Sequence, residues 1–322
     1  MSARWIDIGE ESTYGTAPDD MDKSLAYIDL DFTPDQGRLI DLESAYVMKP
    51  VSILGPFVGT GRVVQYARPH AIGYFLKWAL GSVTTTQVGS SEMYQHEYTL
   101  DLSSIKSFTV QDNRELSNKA LQYLGCLIKT LTLEAPARER VTLEAEIQYR
   151  WEKEVDKSSM LTLDSIRPFV FHDASITSSG GLTVSNIEAF RFQIAHSRPD
   201  DIHEAGSRKL PEIYFESSEW TLEFDLKWKS WAARKNFWAA ESSGTEPQDE
   251  EKTFDVTITL TGAPSGVTDK PNYELVISLP KCVVKENPAS VSRRDRLTQR
   301  LVLEVLDDDN NKITLYNKDS AY

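Results

Sequence analysis

Two-residue alternation of apolar and polar side chains dominates the chain. Trp220, Leu222, Phe224, Leu226 and Trp228 share one face, and Thr221, Glu223, Asp225, Lys227 and Lys229 the other. Val141, Leu143, Ala145, Ile147, Tyr149 and Trp151 alternate in the same way with Thr142, Glu144, Glu146, Gln148 and Arg150. Successive side chains of a strand point to opposite faces, so each run predicts a half-buried strand. Shorter runs predict strands at 106–110, 190–194, 254–260, 273–279 and 312–316. The polar stretch 307–311 reads as a hairpin tip between the last two apolar runs.

Two segments prefer helix. Residues 70–80 follow Pro69, a good first-turn residue, and stop at Gly81. Residues 230–240 carry Trp231, Phe237 and Trp238 with alanines between them. Each predicted helix follows a strand and precedes a polar loop, 81–91 in one case and 241–252 in the other. A further helix-prone stretch, 111–122, has no evident place in this scheme.

The pattern also repeats. Cys126-Leu127-Ile128-Lys129 matches Cys282-Val283-Val284-Lys285, and Arg138-Glu139-Arg140-Val141-Thr142 matches Arg294-Asp295-Arg296-Leu297-Thr298. Both matches have the same spacing, and the strand that follows stays in phase: Val141, Leu143, Ala145 and Ile147 align with Leu297, Gln299, Leu301 and Leu303. A slip of one residue would turn the wrong face inward, so the kept phase carries information. Upstream, Ser107-Phe108-Thr109-Val110 resembles Thr253-Phe254-Asp255-Val256. The expectation is a mainly β protein of two tandem β-sandwich or barrel units, 1–161 and 162–322, each with a short flanking α-helix and related by duplication. Polar loops after equivalent helices would then project in one axial direction.

Composition narrows the function. The 322 residues are 40% hydrophobic, enough for a core, and the formal net charge is −14. That balance opposes tight nucleic-acid binding, which needs Lys and Arg to replace phosphate counterions. It suits a soluble acidic surface, or a wall that repels DNA. No apolar run approaches the roughly 18 residues that span a bilayer, and the first residues lack a secretory apolar stretch. Synthesis in a cytoplasm and no membrane association are expected.

Candidate chemistry is sparse. His70, His96, His172, His196 and His203 show no metal-ligand spacing. Cys126 and Cys282 lie in apolar strand context, as small buried hydrophobes do. Residues 55–62, Gly55-Pro56-Phe57-Val58-Gly59-Thr60-Gly61-Arg62, lack the Gly-Lys-Ser/Thr ending of a phosphate loop and read as a bend between strands. Asp307, Asp308 and Asp309 lack the alternating oxygen ligands of a calcium loop. No catalytic, cofactor-binding or metal-ligating residue is assigned, and no enzyme activity or cofactor is expected.

Gly9-Glu10-Glu11-Ser12-Thr13-Tyr14-Gly15-Thr16-Ala17-Pro18 resembles the opening of the tail tube proteins of siphovirus-like phages. Gly125-Cys126-Leu127-Ile128-Lys129-Thr130-Leu131-Thr132-Leu133 and Ile277-Ser278-Leu279-Pro280-Lys281-Cys282 resemble later strands of the same family. The resemblance implies a structural virion protein whose units form sixfold rings that stack into the hollow tail through which DNA is delivered. With two units per chain, it implies homotrimeric pseudo-sixfold rings, with a homohexamer as the alternative. Its partners would be itself, a tape measure protein, a tail terminator and distal tail or baseplate proteins, and DNA would pass without specific binding. Acidic side chains such as Glu144, Glu146, Glu223 and Asp225 are candidates for the lumen. The alternatives are another ring-forming tail component (a tail terminator or baseplate protein) or a carbohydrate-binding β-sandwich.

Overall fold

The computed structural model describes residues 4–40, 48, 51–114, 118–179, 182, 186–199, 202–240, 244–288 and 297–322. Strands β1 (Ile6–Glu10), β2 (Lys23–Leu25), β3 (Asp29–Asp35), β4 (Leu39–Ile40), β5 (Ser52–Ile53) and β6 (Val58–Tyr66) precede helix α1 (Ile72–Leu80). Then come β7 (Gly81–Gln87), β8 (Tyr94–Leu100), β9 (Phe108–Asp112), β10 (Lys119–Ala135), β11 (Thr142–Tyr149) and β12 (Trp151–Asp156). The second part holds β13 (Ala174–Ser178), β14 (Ile187–Ser197), β15 (Ser217–Lys227), helix α2 (Ala232–Phe237), β16 (Phe254–Pro264), β17 (Asn272–Glu286), β18 (Thr298–Val305) and β19 (Lys312–Asn317). The protein is mainly β.

One antiparallel sheet runs β3–β6–β11–β10–β14–β15–β18–β17. β19, β8 and the edge strand β7 continue from β17. The two longest strands each change neighbours along their length. The first half of β10 pairs with β9 and β12, its second half with β11 and β14. β17 likewise gives its first half to β16 and β19 and its end to β18.

The inward face of the long sheet is apolar because the alternation puts it there. Val63, Leu131, Leu133, Leu143, Phe192, Ile194, Leu222 and Leu303 are all buried. Each such side chain contributes about 1.5–3 kcal/mol relative to exposure. α1 lies against this face, with Ile72 and Leu76 beside Leu131, Leu143 and Ile194. Trp78 of α1 stacks on Phe108 of β9, ring centroids 4.1 Å apart. A single core cluster spans both parts of the chain.

Pairing geometry recurs between the two parts. Phe108 faces Cys126 and Val110 faces Tyr123, with a bulge between. Phe254 faces Cys282 and Val256 faces Leu279, with a bulge between. Each thiol donates to the carbonyl three residues back, Cys126 to Tyr123 at 3.5 Å and Cys282 to Leu279 at 3.6 Å. On the next ladder, Leu127–Gln148, Ile128–Ile147 and Thr130–Glu146 are matched by Val283–Glu304, Val284–Leu303 and Glu286–Val302, again with a bulge at the same step.

Several sequence expectations change. Of residues 81–91, 81–87 are not a loop: α1 ends at Gly81, φ 86°, and the chain turns straight into β7, leaving 88–91 as the turn to β8. Threonines and an open edge make that strand look loop-like in sequence. Projection of two equivalent polar loops therefore fails, and residues 241–243 of the other lie outside the described residues. Residues 307–311 are not a hairpin tip, because β18 and β19 each pair with a different part of β17. Of 111–122, the ends belong to β9 and β10, and 115–117 lie outside the described residues. The run 141–151 is interrupted at Arg150 between β11 and β12, which lie in one continuous register along the same edge of β10. Within 55–62, residues from Val58 onward are strand β6. Arg294, Asp295 and Arg296 lie outside the described residues.

Candidate functional site

The outward face of the long sheet is polar and continuous across both parts of the chain. Residues directly opposite in a ladder share a face, so cross-strand rows define it. One row runs Thr142–Glu134–Arg191–Glu223–Val302 and another Glu144–Thr132–Gln193–Thr221–Glu304. The sequence candidates Glu144, Glu146, Glu223 and Asp225 therefore all lie on this one face. β3 adds Asp29, Asp31 and Asp35, and β15 adds Glu219.

Charge on this face is unbalanced. Asp29, Asp31, Asp35, Glu134, Glu144, Glu146, Glu219, Glu223, Asp225, Glu286 and Glu304 are eleven carboxylates. Arg62, Lys129, Arg191, Lys227, Lys285 and Arg300 are six cations. Arg62 sits between acids from both neighbouring strands: its Nη1 is 2.6 Å from Asp29 and its Nε 2.5 Å from Glu144. The hydrogen bond to Glu144 raises the guanidinium's pKa above its ordinary value. Arg300 pairs with Glu223, and Lys285 with Glu304 at 3.4 Å. The cations are thus placed among carboxylates, and the surplus is negative.

Two glycines fix the shape of β6 beneath this surface. A Cβ on Gly59 would lie 2.3 Å from the Tyr149 ring, and one on Gly61 2.5 Å from the Phe32 ring. Phe32 stacks on Tyr123 at 4.0 Å, and Tyr123 meets Tyr149 edge-on at 5.1 Å. The glycine-rich stretch exists for ring packing.

The N-terminal motif is a polar knot. Glu11, 3% exposed, accepts the backbone N–H of Gly15 at 2.7 Å and of Gly125 at 2.8 Å, and the hydroxyls of Ser107 at 2.6 Å and Thr109 at 2.7 Å. Tyr14 packs under the Arg150 guanidinium, and Arg150 donates to the Tyr14 carbonyl at 2.8 Å. Asp7, 1% exposed, accepts from Ser24, Ser158, Asn113 and the Trp5 indole. Sequence reading found the motif but not these hubs, because their partners lie far along the chain.

Histidines and cysteines do not converge. His70 Nδ1 is 2.7 Å from Asp319. His96 bridges Thr85 and Asn317 at 2.8 and 3.0 Å, and burial lowers its pKa. His196 donates from Nε2 to the Ala79 carbonyl at 2.8 Å, and burial lowers its pKa to about 4. His172 lies in a short helical turn, and His203 is half-buried in a loop. Burial pushes the Cys282 thiol up to about 12 and Cys126 well above its usual range, so neither is a thiolate near neutrality. Asp308 is spent on the N–H and side chain of Asn310, both at 2.9 Å. Among the described residues, no group of three or more His, Cys, Asp or Glu side chains could hold a metal ion. Among them too, no helix is long and apolar enough to cross a membrane.

The arrangement offers a broad acidic sheet face. No curated protein matches the chain. The profile of the family described as phage tail tube protein matches residues 6–301. With nearly the whole chain covered, and a mainly antiparallel β fold bearing the family-like Gly-Glu-Glu opening at its polar knot, the chain belongs to the phage tail tube protein family, a structural component of the virion tail.

Proposed function

We propose that the chain contains two tail-tube units and that three chains close a pseudo-sixfold ring. Such rings stack into the hollow tube that delivers viral DNA. The observation that carries this reading is the polar face shared by β3–β6–β11–β10 and β14–β15–β18–β17, two four-strand blocks joined edge to edge with a negative surplus along one surface. A heterologous contact of this kind closes a ring when its rotation divides the circle. The acidic face lines the channel. Fixed cations there would add affinity for phosphate and retard a polymer in transit, whereas a negative wall repels it. Screening beyond roughly 8 Å at physiological salt leaves the facing side chains in control. The chain performs no catalysis and needs no cofactor. Tape measure, terminator and distal tail proteins are its partners at the tube's interior and ends, and synthesis is in the host cytoplasm.

Electron microscopy with mass measurement of the purified chain tests this. The expected particle is a ring of six similar units with the mass of three chains, and stacks of such rings. Single chains at every concentration would overturn the reading, and rings of six chains would overturn the trimer.

A further inference from the structure

The junction between the two blocks lies inside one chain, so its geometry is visible in full. Thr130 at the far half of β10 faces Ala195 of β14, Leu131 faces Ile194 and Thr132 faces Gln193. The ladders around each partner identify counterparts elsewhere in the chain. Glu286 holds the place of Thr130, one step past the same bulge and opposite Val302 as Thr130 is opposite Glu146. Asp35 holds the place of Ala195: β3 lies on β6 through Phe32–Gly61 and Asp35–Val58, as β14 lies on β15 through Phe192–Leu222 and Ala195–Glu219. Gly61 and Leu222 in turn face Ile147 and Leu303, which are themselves counterparts. Among the described residues, β3 has a ladder on one side only, and the far side of Glu286 has none.

We infer that a second copy of this chain docks on the free edge of β3 in the register Glu286 to Asp35, Asn287 to Pro34 and Pro288 to Thr33. This rests on the ring reading above and names the edges that would close it. The occupant is a second copy because the chain already contains the same contact between its own parts. Exposure agrees: Pro34 is exposed, whereas its counterpart Ile194, covered by β10, is fully buried.

The junction between copies differs from the one within the chain in three ways. Pro34 has no N–H to give to a ladder, and a proline keeps an edge strand from pairing indiscriminately. Asp35 and Glu286 are both exposed carboxylates, and like charges directly opposite are destabilising. The within-chain junction is also reinforced by the β8–β19 ladder. No strand lies between Phe237 and Phe254 among the described residues, so the second part offers no equivalent of β8 to the next copy's β12.

Single variants D35C and E286C, mixed as full chains and mildly oxidised, test the register. Cys126 and Cys282 are buried and stay in both. The pair T130C/A195C in one chain serves as the positive control for the geometry. The mixture should give a reductant-sensitive species at twice the 36.4 kDa chain mass, which neither variant gives alone. Replacing E286C by N287C should abolish it, because a one-residue slip turns the thiol to the other face. Rings seen by electron microscopy without this cross-link would overturn the register and leave the ring reading standing. Chains that remain single and uncross-linked would overturn both.

Discussion

The carboxylate of Glu11 lies 2.8 Å from the backbone N–H of Gly125, although 114 positions separate the two residues. This bond anchors the N-terminal loop beside the β10 bulge that sets Cys126 against Phe108. Glu11→Gln puts an amide donor among four donors and should lower unfolding stability by roughly 3 kcal/mol. Denaturant titration measures it. A change below about 1 kcal/mol would remove Glu11 from this anchoring role.

Much of the fold was legible and some of it was not, for physical reasons. The alternations 220–226 and 141–149 place every apolar side chain on the buried face, although Gln148 on the other face is buried too and Trp228 lies past the end of β15. The break at Arg150 was invisible, since both the alternation and the register on β10 continue through it. β7 was hidden by its own exposure: an edge strand with Thr84, Thr85 and Thr86 has no apolar face strong enough to announce it. The acidic candidates were legible as polar positions, but their common face emerges only from the cross-strand rows.

Ring packing on β6 gives a second prediction. Gly59→Ala and Gly61→Ala force the Tyr149 or Phe32 ring to move, and each should cost about 1–3 kcal/mol. Adding Phe32→Leu to Gly61→Ala should return part of the loss. Thermal melts of the two singles and the double decide it; equal melting of Gly61→Ala and the wild type would contradict the packing account.

His196 makes stability depend on pH. Its folded pKa, about 4, lies below the unfolded value of about 6.5, so the unfolded chain binds its proton first as pH falls. The contribution is fully present above pH 6.5 and is lost as pH falls through about 4, a change of about 3 kcal/mol. His196→Gln should flatten the stability curve across that window relative to wild type. Parallel curves would show that His196 does not titrate this way.

Thiol chemistry should be silent in the native state. Cys126 and Cys282 are buried with raised pKa values, so an aromatic disulfide reagent at pH 8 should label neither until denaturant is added. Rapid native labelling at either position would show local opening of the bulge beside it.

Reversing charge on the acidic face tests its relation to DNA. Glu146→Lys, Glu219→Lys and Asp225→Lys change exposed side chains. Assembled variants should retain duplex DNA at low salt and release it as salt rises, with wild type retaining little. Binding measured across a salt series checks this; equal weak binding by variant and wild type would place these residues away from the DNA path.

The β10–β14 ladder has one more consequence, which concerns dilution. A partner tethered through its own backbone stands at an effective concentration on the order of millimolar, whatever the concentration of chains. The within-chain joint therefore forms on folding and survives dilution, while the joint at β3 depends on encounter. On the proposed reading, closing six units takes three joints between copies rather than six, and disassembly proceeds through every second joint.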